Sequence, residues 1–449
     1  MVTLRYEDGT LRIEADSVAA DLLERHGAQR DDRSETLRAP AYRYPAIVTA
    51  CESASVSVTD EVLSLESVGP LHSTYELRSY QESALDAWLA ADNRGVVELP
   101  TGAGKTVIAI AAIERLSTPT LVVVPTVDLL EQWHAELEAE FDEPIGRLGG
   151  GSQTIESITV STYDSAYLRA EELGNRFGLL VFDEAHHLGG EGYRDAARLS
   201  AAPARLGLTA TFERPDGAHE AVADLLGDVV YRLDPDDLAG EHLADYDIKR
   251  IEVELTDEER RRYERHQETF TDYLAASGLR LESGSDYQKL VKRSGTDPKA
   301  REALLAKQRA REVMLSAERK RDALGEILRR HRGERIIVFA AHTEVVYDVA
   351  ERFLIPPITA ETAAEERRYI LDRFRRGTYT RVVAANVLDE GIDVPDANVG
   401  VILSGSGSKR EFTQRLGRIL RPNDDGSRAV LYEVVAADTV EENIAGRRR

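Results

Sequence analysis

The chain has only one cysteine, Cys51, among its 449 residues. An intrachain disulfide and a metal site built on several cysteines are therefore excluded. It also lacks any run of about eighteen apolar residues, so the sequence predicts no transmembrane helix. Residues 1–8 have neither the basic start nor the apolar core of a signal peptide. These absences predict an intracellular, cytoplasmic protein without a membrane partner.

The chain is also poor in positive charge. It has 57 lysines and arginines against 80 aspartates and glutamates, which gives a net charge of −23. This balance argues against a simple basic nucleic-acid binder. Only eight of the basic residues are lysine, which leaves 57 − 8 = 49 arginines. An acidic, lysine-poor composition is typical of salt-loving archaea, whose proteins use acidic surface to stay hydrated. The alternative is an acidic protein encoded by a GC-rich genome.

The hydrophobic pattern divides the chain into a small N-terminal α+β domain, a first α/β lobe, a charged helical insertion and a second α/β lobe. Their expected bounds are 1–72, 73–240, 241–330 and 331–449. In both lobes apolar strands alternate with helical patterns, which predicts an α/β fold with parallel sheets covered by helices.

Finer expectations concern the two smaller segments. In the N-terminal domain, Asp8 and Gly9 predict a hairpin turn, and the runs 42–48 and 55–62 predict further strands. In the insertion, a capping-box pattern at 256–259 opens a helix, and a second helix is expected over 298–330.

A glycine-rich loop at residues 100–106 lies between an apolar strand and an apolar helix. In that geometry consecutive backbone N–H groups point at a polyphosphate. Lys105 would reach the β- and γ-phosphates, and the hydroxyl of Thr106 would bind Mg²⁺. One departure from the general pattern is Leu99, which stands where glycine is usual. The sequence predicts ATP and Mg²⁺ as cofactors, with the nucleotide held by Thr101, Gly102, Ala103, Gly104, Lys105 and Thr106.

Two carboxylates follow the apolar run 179–182. A strand that ends in Asp183 and Glu184 places both at the carboxyl edge of a parallel sheet, where ligands bind. Asp183 would hold Mg²⁺, and Glu184 would orient and deprotonate the attacking water.

With the loop and the carboxylates in place, the chain resembles superfamily 2 helicases of the DEAH-box type, which have two RecA-like motor lobes. The resemblance implies roles for several further residues. Nucleotide contacts are implied for Arg78, Gln81, Gly391, Asp393 and Gln414. Contacts with DNA, or coupling between DNA and nucleotide, are implied for Thr126, Gln132, Trp133, Thr162, Thr209 and Thr211.

The run 414–421 matches the last helicase motif in full. On a helix, Gln414, Arg418 and Arg421 fall at i, i+4 and i+7, on one face. Arginines presented to a nucleotide on the other lobe stabilise charge on the transferring phosphoryl group. Arg418 and Arg421 are therefore expected to be catalytic, and their dependence on lobe closure would couple hydrolysis to movement.

The domain layout resembles archaeal XPB helicases, relatives of the TFIIH and excision-repair subunit. That family has a short Arg-Glu-Asp element, and here Arg214 and Asp216 flank a proline. The resemblance also implies a damage-recognition-like N-terminal domain and a thumb-like insertion that grips DNA. Basic pairs such as Lys292-Arg293 would meet phosphates there, and Tyr263, Phe270 and Tyr273 would stack on bases.

The function expected from these residues is an ATP-dependent 3′-to-5′ DNA helicase in repair or transcription. Its partners would be duplex or forked DNA and a repair nuclease or a transcription or repair factor. Two alternatives stay open: a double-strand translocase or restriction-type motor that does not separate strands, and a nucleotide-gated scaffold without turnover. No nuclease or methyltransferase signature accompanies the motifs, and the intact Lys105, Glu184, Arg418 and Arg421 argue against the scaffold.

Overall fold

The fold is described from a computed structural model of the chain. It describes residues 1–31, 34–100, 102–190, 192–213, 217–233, 246–281, 284–385, 397–404 and 429–441. These residues belong to two compact units, which meet in sequence near residue 239. Each unit is described by itself.

The first unit begins with a five-stranded sheet in the order β3-β4-β2-β1-β5, antiparallel except where β5 pairs with β1. The hairpin expected at Asp8 and Gly9 is confirmed, since both residues have positive φ between β1 and β2. The elements are β1 (Val2–Glu7), β2 (Thr10–Ala15), α1 (Ser17–Arg25), β3 (Gln29–Asp31), β4 (Thr36–Pro40), α2 (Tyr44–Ser53) and β5 (Val58–Glu61).

The strand expected at 42–48 is wrong, because a 3₁₀ turn at Ala41–Arg43 leads directly into helix α2. Its buried residues Ile47, Ala50 and Cys51 are three and four positions apart. That spacing places them on one helical face, whereas residues in a strand alternate between two faces.

The first lobe follows in the same unit. Its eight strands have the order β13-β6-β12-β11-β7-β10-β8-β9, and all pairs are parallel except β8 with β9. The strands are β6 (Arg94–Glu98), β7 (Thr120–Val124), β8 (Ile145–Gly149), β9 (Ser152–Thr154), β10 (Ile158–Thr162), β11 (Leu179–Asp183), β12 (Ala204–Thr209) and β13 (Val229–Arg232). The helices are α3 (Ser79–Ala90), α4 (Lys105–Leu116), α5 (Val127–Glu140), α6 (Tyr163–Leu168), α7 (Ala170–Leu173), α8 (Arg194–Arg198) and α9 (His219–Leu226), with a 3₁₀ helix at Ala185–Gly189.

The N-terminal domain packs directly on the first lobe. The hydroxyl of Tyr6 donates hydrogen bonds to the carbonyl oxygens of Glu171 and Leu199, at 2.7 and 3.0 Å. Ala201 of the lobe also belongs to the apolar core of the N-terminal domain. The two parts therefore share one hydrophobic and polar junction.

The second unit is built on a six-stranded, all-parallel sheet in the order β14-β19-β18-β15-β17-β16. The strands are β14 (Tyr246–Val253), β15 (Ile336–Phe339), β16 (Pro357–Ile358), β17 (Arg381–Ala384), β18 (Val399–Ile402) and β19 (Ala429–Ala436). The helices are α10 (Asp257–Ser277), α11 (Gly284–Ser294), α12 (Pro298–Leu315), α13 (Glu318–Arg330), α14 (Thr343–Phe353) and α15 (Ala364–Arg375). With the first lobe, this sheet confirms the α/β fold expected from the sequence.

The helical insertion differs from expectation at both ends. Strand β14 pairs with β19 of the second sheet, and α13 contributes Leu324, Ile327 and Leu328 to the core beneath that sheet. The run 298–330 is also two helices, since it breaks between α12 and α13. Within the insertion, the helices that pack against one another are therefore α10, α11 and α12.

The aromatic residues of this insertion are not laid out for base stacking. Tyr263 is buried and its hydroxyl accepts a hydrogen bond from the Val440 N–H, whereas Phe270 packs in a core with Leu290. The stacking expected of Tyr263 and Phe270 is therefore wrong. Tyr273 stays partly exposed and donates to a carboxylate oxygen of Asp297 at 3.2 Å.

Two basic residues in and next to the insertion are engaged within the protein, whereas Lys292 and Arg293 are exposed. Arg260 donates to the carbonyl oxygens of Ala437 and Asp438. Lys320 is buried in an ion pair with Glu441, so it does not form part of a phosphate-binding surface. Among the described residues, no helix is both long and apolar enough to cross a membrane.

Candidate ATP site and strand-end motifs

The predicted site residues of the first lobe gather at one edge of its sheet. Strand β12 lies between β6 and β11, with Thr209 opposite Glu98 and Asp183 opposite Leu208. All three strands run in the same direction, so the phosphate loop, Asp183 and Thr209 follow neighbouring carboxyl ends. In parallel α/β sheets this edge is where ligands bind.

The phosphate loop is shaped by its glycines. Gly102 and Gly104 have φ of 87° and 76°, a region that side chains rarely adopt. A Cβ atom on Gly104 would also lie 2.5 Å from the Nε2 atom of Gln81. Helix α4 starts immediately afterwards at Lys105, so its N-terminal N–H groups face the loop.

Tyr80 and Gln81 hold this loop from α3. The hydroxyl of Tyr80 donates to the carbonyl oxygen of Ala103 at 2.8 Å. The Gln81 Nε2 donates to the carbonyl oxygens of Ala103 and Gly104, and its Oε1 accepts from the Arg78 N–H. Gln81 thus positions the phosphate loop, a role the sequence did not indicate. Its expected contact with adenine stays a prediction, as does that of Arg78.

Lys105 is buried beside the same loop. Its Nζ donates to the carbonyl oxygen of Leu99 at 3.1 Å and lies 3.5 Å from that of Pro100. Leu99, which stands where glycine is usual, has its side chain fully buried in the core. Its main-chain carbonyl oxygen orients the Lys105 ammonium group. The ammonium group is therefore held at the loop by main-chain carbonyl oxygens.

Asp183 and Glu184 are both buried at the end of β11. Glu184 has φ of 50°, in the left-handed region, and the 3₁₀ helix Ala185–Gly189 follows it. A non-glycine residue in that region carries strain that persists where the surroundings fix it, commonly at functional sites. The Oδ1 atom of Asp183 accepts the backbone N–H of Glu184 at 3.0 Å, which ties the two acids together.

Side chains that follow β7, β10 and β12 make hydrogen bonds with residues 183–186. From α5, the indole Nε1 of Trp133 donates to Oδ2 of Asp183 at 2.9 Å. From α6, the hydroxyl of Tyr163 donates to the Asp183 carbonyl oxygen at 3.1 Å and lies 3.4 Å from that of Glu184. From the end of β12, Oγ1 of Thr209 lies 3.1 Å from Nδ1 of His186.

Burial next to the acids also alters Tyr163 itself. The side chain is fully enclosed, and desolvation raises the pKa of its hydroxyl well above the ordinary value, with the charges of Asp183 and Glu184 adding to the effect. The hydroxyl therefore stays protonated and remains a hydrogen-bond donor. The sequence analysis missed this residue, since only its place next to Thr162 marked it.

The remaining strand-end residues have local structural roles. Thr126 and Thr162 cap the N-termini of α5 and α6 by accepting from the N–H groups of Leu129 and Ser165. Gln132 is half-buried on α5, whereas Trp133 is buried beside Asp183 and cannot line a DNA-contacting surface. Of the two roles expected for Trp133, direct contact with DNA does not agree with this burial, and coupling stays a prediction.

Several predicted site residues lie outside the described residues, and their roles stay predictions. They are Thr101, Arg214, Asp216, Gly391, Asp393, Gln414, Arg418 and Arg421.

The described residues fit a magnesium nucleotide. A Cβ on Gly104 would meet the Gln81 side chain, and Lys105 supplies a positive charge beside this glycine. The Thr106 hydroxyl and the Asp183 carboxylate are hard oxygen ligands of the kind that Mg²⁺ prefers. In such sites the phosphates of the substrate supply further oxygen ligands to the same ion. A largely parallel sheet in each unit, with this ligand-binding edge on the first, is the arrangement expected of a nucleotide-driven motor of the helicase class.

Sequence families match three parts of the chain. Residues 4–62 match the Xeroderma pigmentosum group B helicase damage recognition domain, and residues 74–214 match the type III restriction enzyme res subunit. Residues 302–449 match the ERCC3/RAD25/XPB C-terminal helicase family. The chain belongs to the XPB helicase family.

Individual relatives agree with this membership. The chain is 42% identical over its whole length, and over the whole relative, to the DNA 3′-5′ translocase XPB2 of Sulfurisphaera tokodaii. It is 31% identical to the putative DNA 3′-5′ helicase Rad25 of Halobacterium salinarum, covering 99% of the chain and 69% of the relative. The helicase domain of Pyrococcus furiosus Hef shares the fold, with a TM-score of 0.52 and 22% identity over 83% of this chain and 98% of that domain.

Proposed function

We propose that the chain is an ATP-dependent 3′-to-5′ DNA motor of XPB type that acts in DNA repair or transcription. The observation that carries the proposal is a set of three hydrogen bonds at the end of β11: Trp133 and Tyr163 donate to Asp183, and Thr209 bonds to His186. These residues follow β7, β10 and β12, which lie on both sides of β11 in the sheet. If DNA binding shifts these residues, the shift would therefore be passed to the nucleotide site directly through these hydrogen bonds.

Each side chain at the edge has a distinct part in hydrolysis. Lys105 binds the β- and γ-phosphates, and Asp183 and Thr106 would hold Mg²⁺, which neutralises charge that develops on the phosphoryl oxygens. Glu184 orients the attacking water and accepts its proton. Arg418 and Arg421 add positive charge in the transition state, which makes turnover depend on the second lobe.

Strand separation and translocation are the two candidate outputs of this cycle. The chain is similar along its full length to a relative named a translocase, and to others named helicases. We propose a helicase as the first candidate, and a double-strand translocase as the second.

The deciding experiment compares three DNA substrates in high salt with MgATP. Duplexes with a 3′ or a 5′ single-stranded tail report unwinding and its polarity, and displacement of a third strand from a triplex reports translocation alone. Unwinding of only the 3′-tailed duplex supports the helicase, and triplex displacement without unwinding supports the translocase. Hydrolysis that DNA does not stimulate, or that survives Lys105→Ala, overturns the proposal.

We further propose partners and conditions for this motor. Duplex or forked DNA is the substrate, and a repair nuclease or a transcription or repair factor is the protein partner, since some relatives are named as subunits of general transcription and DNA repair factor IIH. The acidic, lysine-poor composition suits an archaeal cell with concentrated internal salt. Retention of activity in molar KCl tests that condition, and precipitation or inactivation there contradicts it.

A further inference from the structure

The hydrogen bond between Trp133 and Asp183 is not explained by a DNA-contacting role for α5. The indole ring is 1% exposed, and its Nε1 lies 2.9 Å from Oδ2 of the carboxylate. The two residues are fifty positions apart in the chain. The bond therefore depends on tertiary packing, because α5 lies on β7, β8 and β10 and its indole reaches the end of β11.

The bond fixes one particular side-chain orientation. Oδ1 of Asp183 accepts the Glu184 N–H, and Oδ2 accepts the Trp133 indole. With one donor on each oxygen, rotation of the carboxylate about its terminal bond would break both bonds. Each oxygen keeps further lone pairs, so the acid can still ligate a cation. Neutral donors orient a ligating carboxylate without competing for the metal's place, as outer-shell partners do in metal sites.

We propose that Trp133 is a positioning residue for magnesium binding, which acts by holding the Asp183 carboxylate in its ligating orientation. The inference rests on the proposed ATPase function and adds a residue to its metal site. Trp133 itself contacts neither the metal nor the nucleotide in this assignment. Its place on α5, the helix that Thr126 caps, makes it the most direct link between that helix and the metal ligand.

The chain offers a matched control. It contains two tryptophans, and the other, Trp88, is also fully buried and donates its indole Nε1 at 2.9 Å. Its acceptor, however, is the main-chain carbonyl of Arg205. Trp133→Phe and Trp88→Phe therefore lose the same donor and similar volume in the same lobe, but only the first loses a bond to Asp183.

The first test titrates Mg²⁺ against binding of a fluorescent ADP in the full-length variants. Trp133→Phe is expected to need about 10- to 100-fold more Mg²⁺ for half-saturation, as for other outer-shell substitutions, with binding in EDTA unchanged. Trp88→Phe is expected to match the wild type. A magnesium requirement for Trp133→Phe equal to that of Trp88→Phe would overturn the inference.

The second test needs no change at Trp133, so it stands even if that variant fails to fold. In Trp88→Phe, Trp133 is the remaining tryptophan, and its emission is expected to shift when Mg²⁺ and ADP bind, because a cation arrives at its hydrogen-bond partner. Adding Asp183→Asn should abolish the shift. An unchanged emission, or a shift that persists in Asp183→Asn, contradicts the proposal. Loss of hydrolysis in Lys105→Ala shows separately whether the proposed ATPase function stands.

Discussion

His186 and Thr209 connect the acidic run after β11 with the end of β12. The Thr209 hydroxyl donates to the Thr211 carbonyl oxygen at 3.0 Å, so it accepts the hydrogen bond from Nδ1 of His186, which lies 3.1 Å away. A bond in this direction needs a proton on Nδ1, which also lies 3.4 Å from a carboxylate oxygen of Glu184. Both side chains are buried, so the bond is shielded from water.

Loss of that bond is expected to uncouple DNA from hydrolysis. Thr209→Val removes the hydroxyl at nearly constant volume, so basal ATP hydrolysis should persist while DNA stimulation falls about 10-fold. Thr209→Ser keeps the hydroxyl and should retain stimulation. Hydrolysis rates with and without duplex DNA check both variants, and equal stimulation in Thr209→Val and wild type would contradict the coupling role.

Glu184→Gln should bind nucleotide normally but turn over more slowly by about 10²-fold or more, because the amide cannot accept a proton from the attacking water. Steady-state hydrolysis and ADP binding measure the two effects separately. Glu172→Gln, at an exposed carboxylate of the same lobe, is the control and should behave as wild type. A Glu184→Gln enzyme with wild-type turnover would remove Glu184 from its catalytic role.

Gly104→Ala is expected to weaken nucleotide binding by about 10-fold or more. The left-handed backbone costs a side-chain residue roughly 1–2 kcal/mol, and the new Cβ meets Gln81 as well. Gly151→Ala is a matched control, since Gly151 has φ of 92° and no atom within 4 Å of its Cβ position. Nucleotide affinity measured for both variants checks this, and equal affinities would show that the loop tolerates the change.

Tyr6→Phe should loosen the junction between the N-terminal domain and the first lobe. Burial raises the pKa of the Tyr6 hydroxyl from 10.0 to about 12. The folded state therefore favours the neutral phenol. Its contribution to the stability of the junction is complete below pH 10 and is lost as the pH rises through about 12. Limited proteolysis of the segment 62–78 measures the junction, which should open in alkali in the wild type.

The matched control for this junction is Tyr167→Phe, at a tyrosine of the first lobe that is 40% exposed. Tyr6→Phe should be cleaved faster than this control at neutral pH, and its cleavage rate should change less between pH 10 and 12. Identical cleavage of Tyr6→Phe and Tyr167→Phe across the pH range would rule out the contribution of the Tyr6 hydroxyl.

Lys320→Met should destabilise the second unit by about 3–5 kcal/mol, because it leaves the Glu441 carboxylate buried without its cation. Nζ of Lys320 lies 2.6 Å from that carboxylate and also donates to the Leu403 carbonyl oxygen. Adding Glu441→Leu should recover much of the loss. Lys289→Met breaks an exposed pair with Asp286 and should cost at most about 1 kcal/mol. Denaturant unfolding compares these variants, and additive losses in the double variant would contradict a buried pair.

Much of the first lobe's architecture could be predicted because its signals are local. The run at 100–106 needs only a strand, a turn and a helix start, and Asp183 and Glu184 need only a strand that ends. Helix α2 was missed because its apolar residues overlap a short run that also suits a strand. The placement of β14 and α13 was missed because their partners, such as β19, are far away in sequence.

The sequence by itself determined which chemical groups stand at the strand ends: a lysine, two carboxylates, and the threonines and aromatic residues beside them. The spacing of residues within one strand and the turn after it places such groups at the strand end, independently of the rest of the chain. Tertiary structure alone decided where the side chains point. Trp133 lies on a helix that the sequence associates with DNA, yet its indole bonds to Asp183 because parallel strands bring β7 and β11 together. Bonds between residues fifty positions apart follow from the order of strands, which no local pattern records.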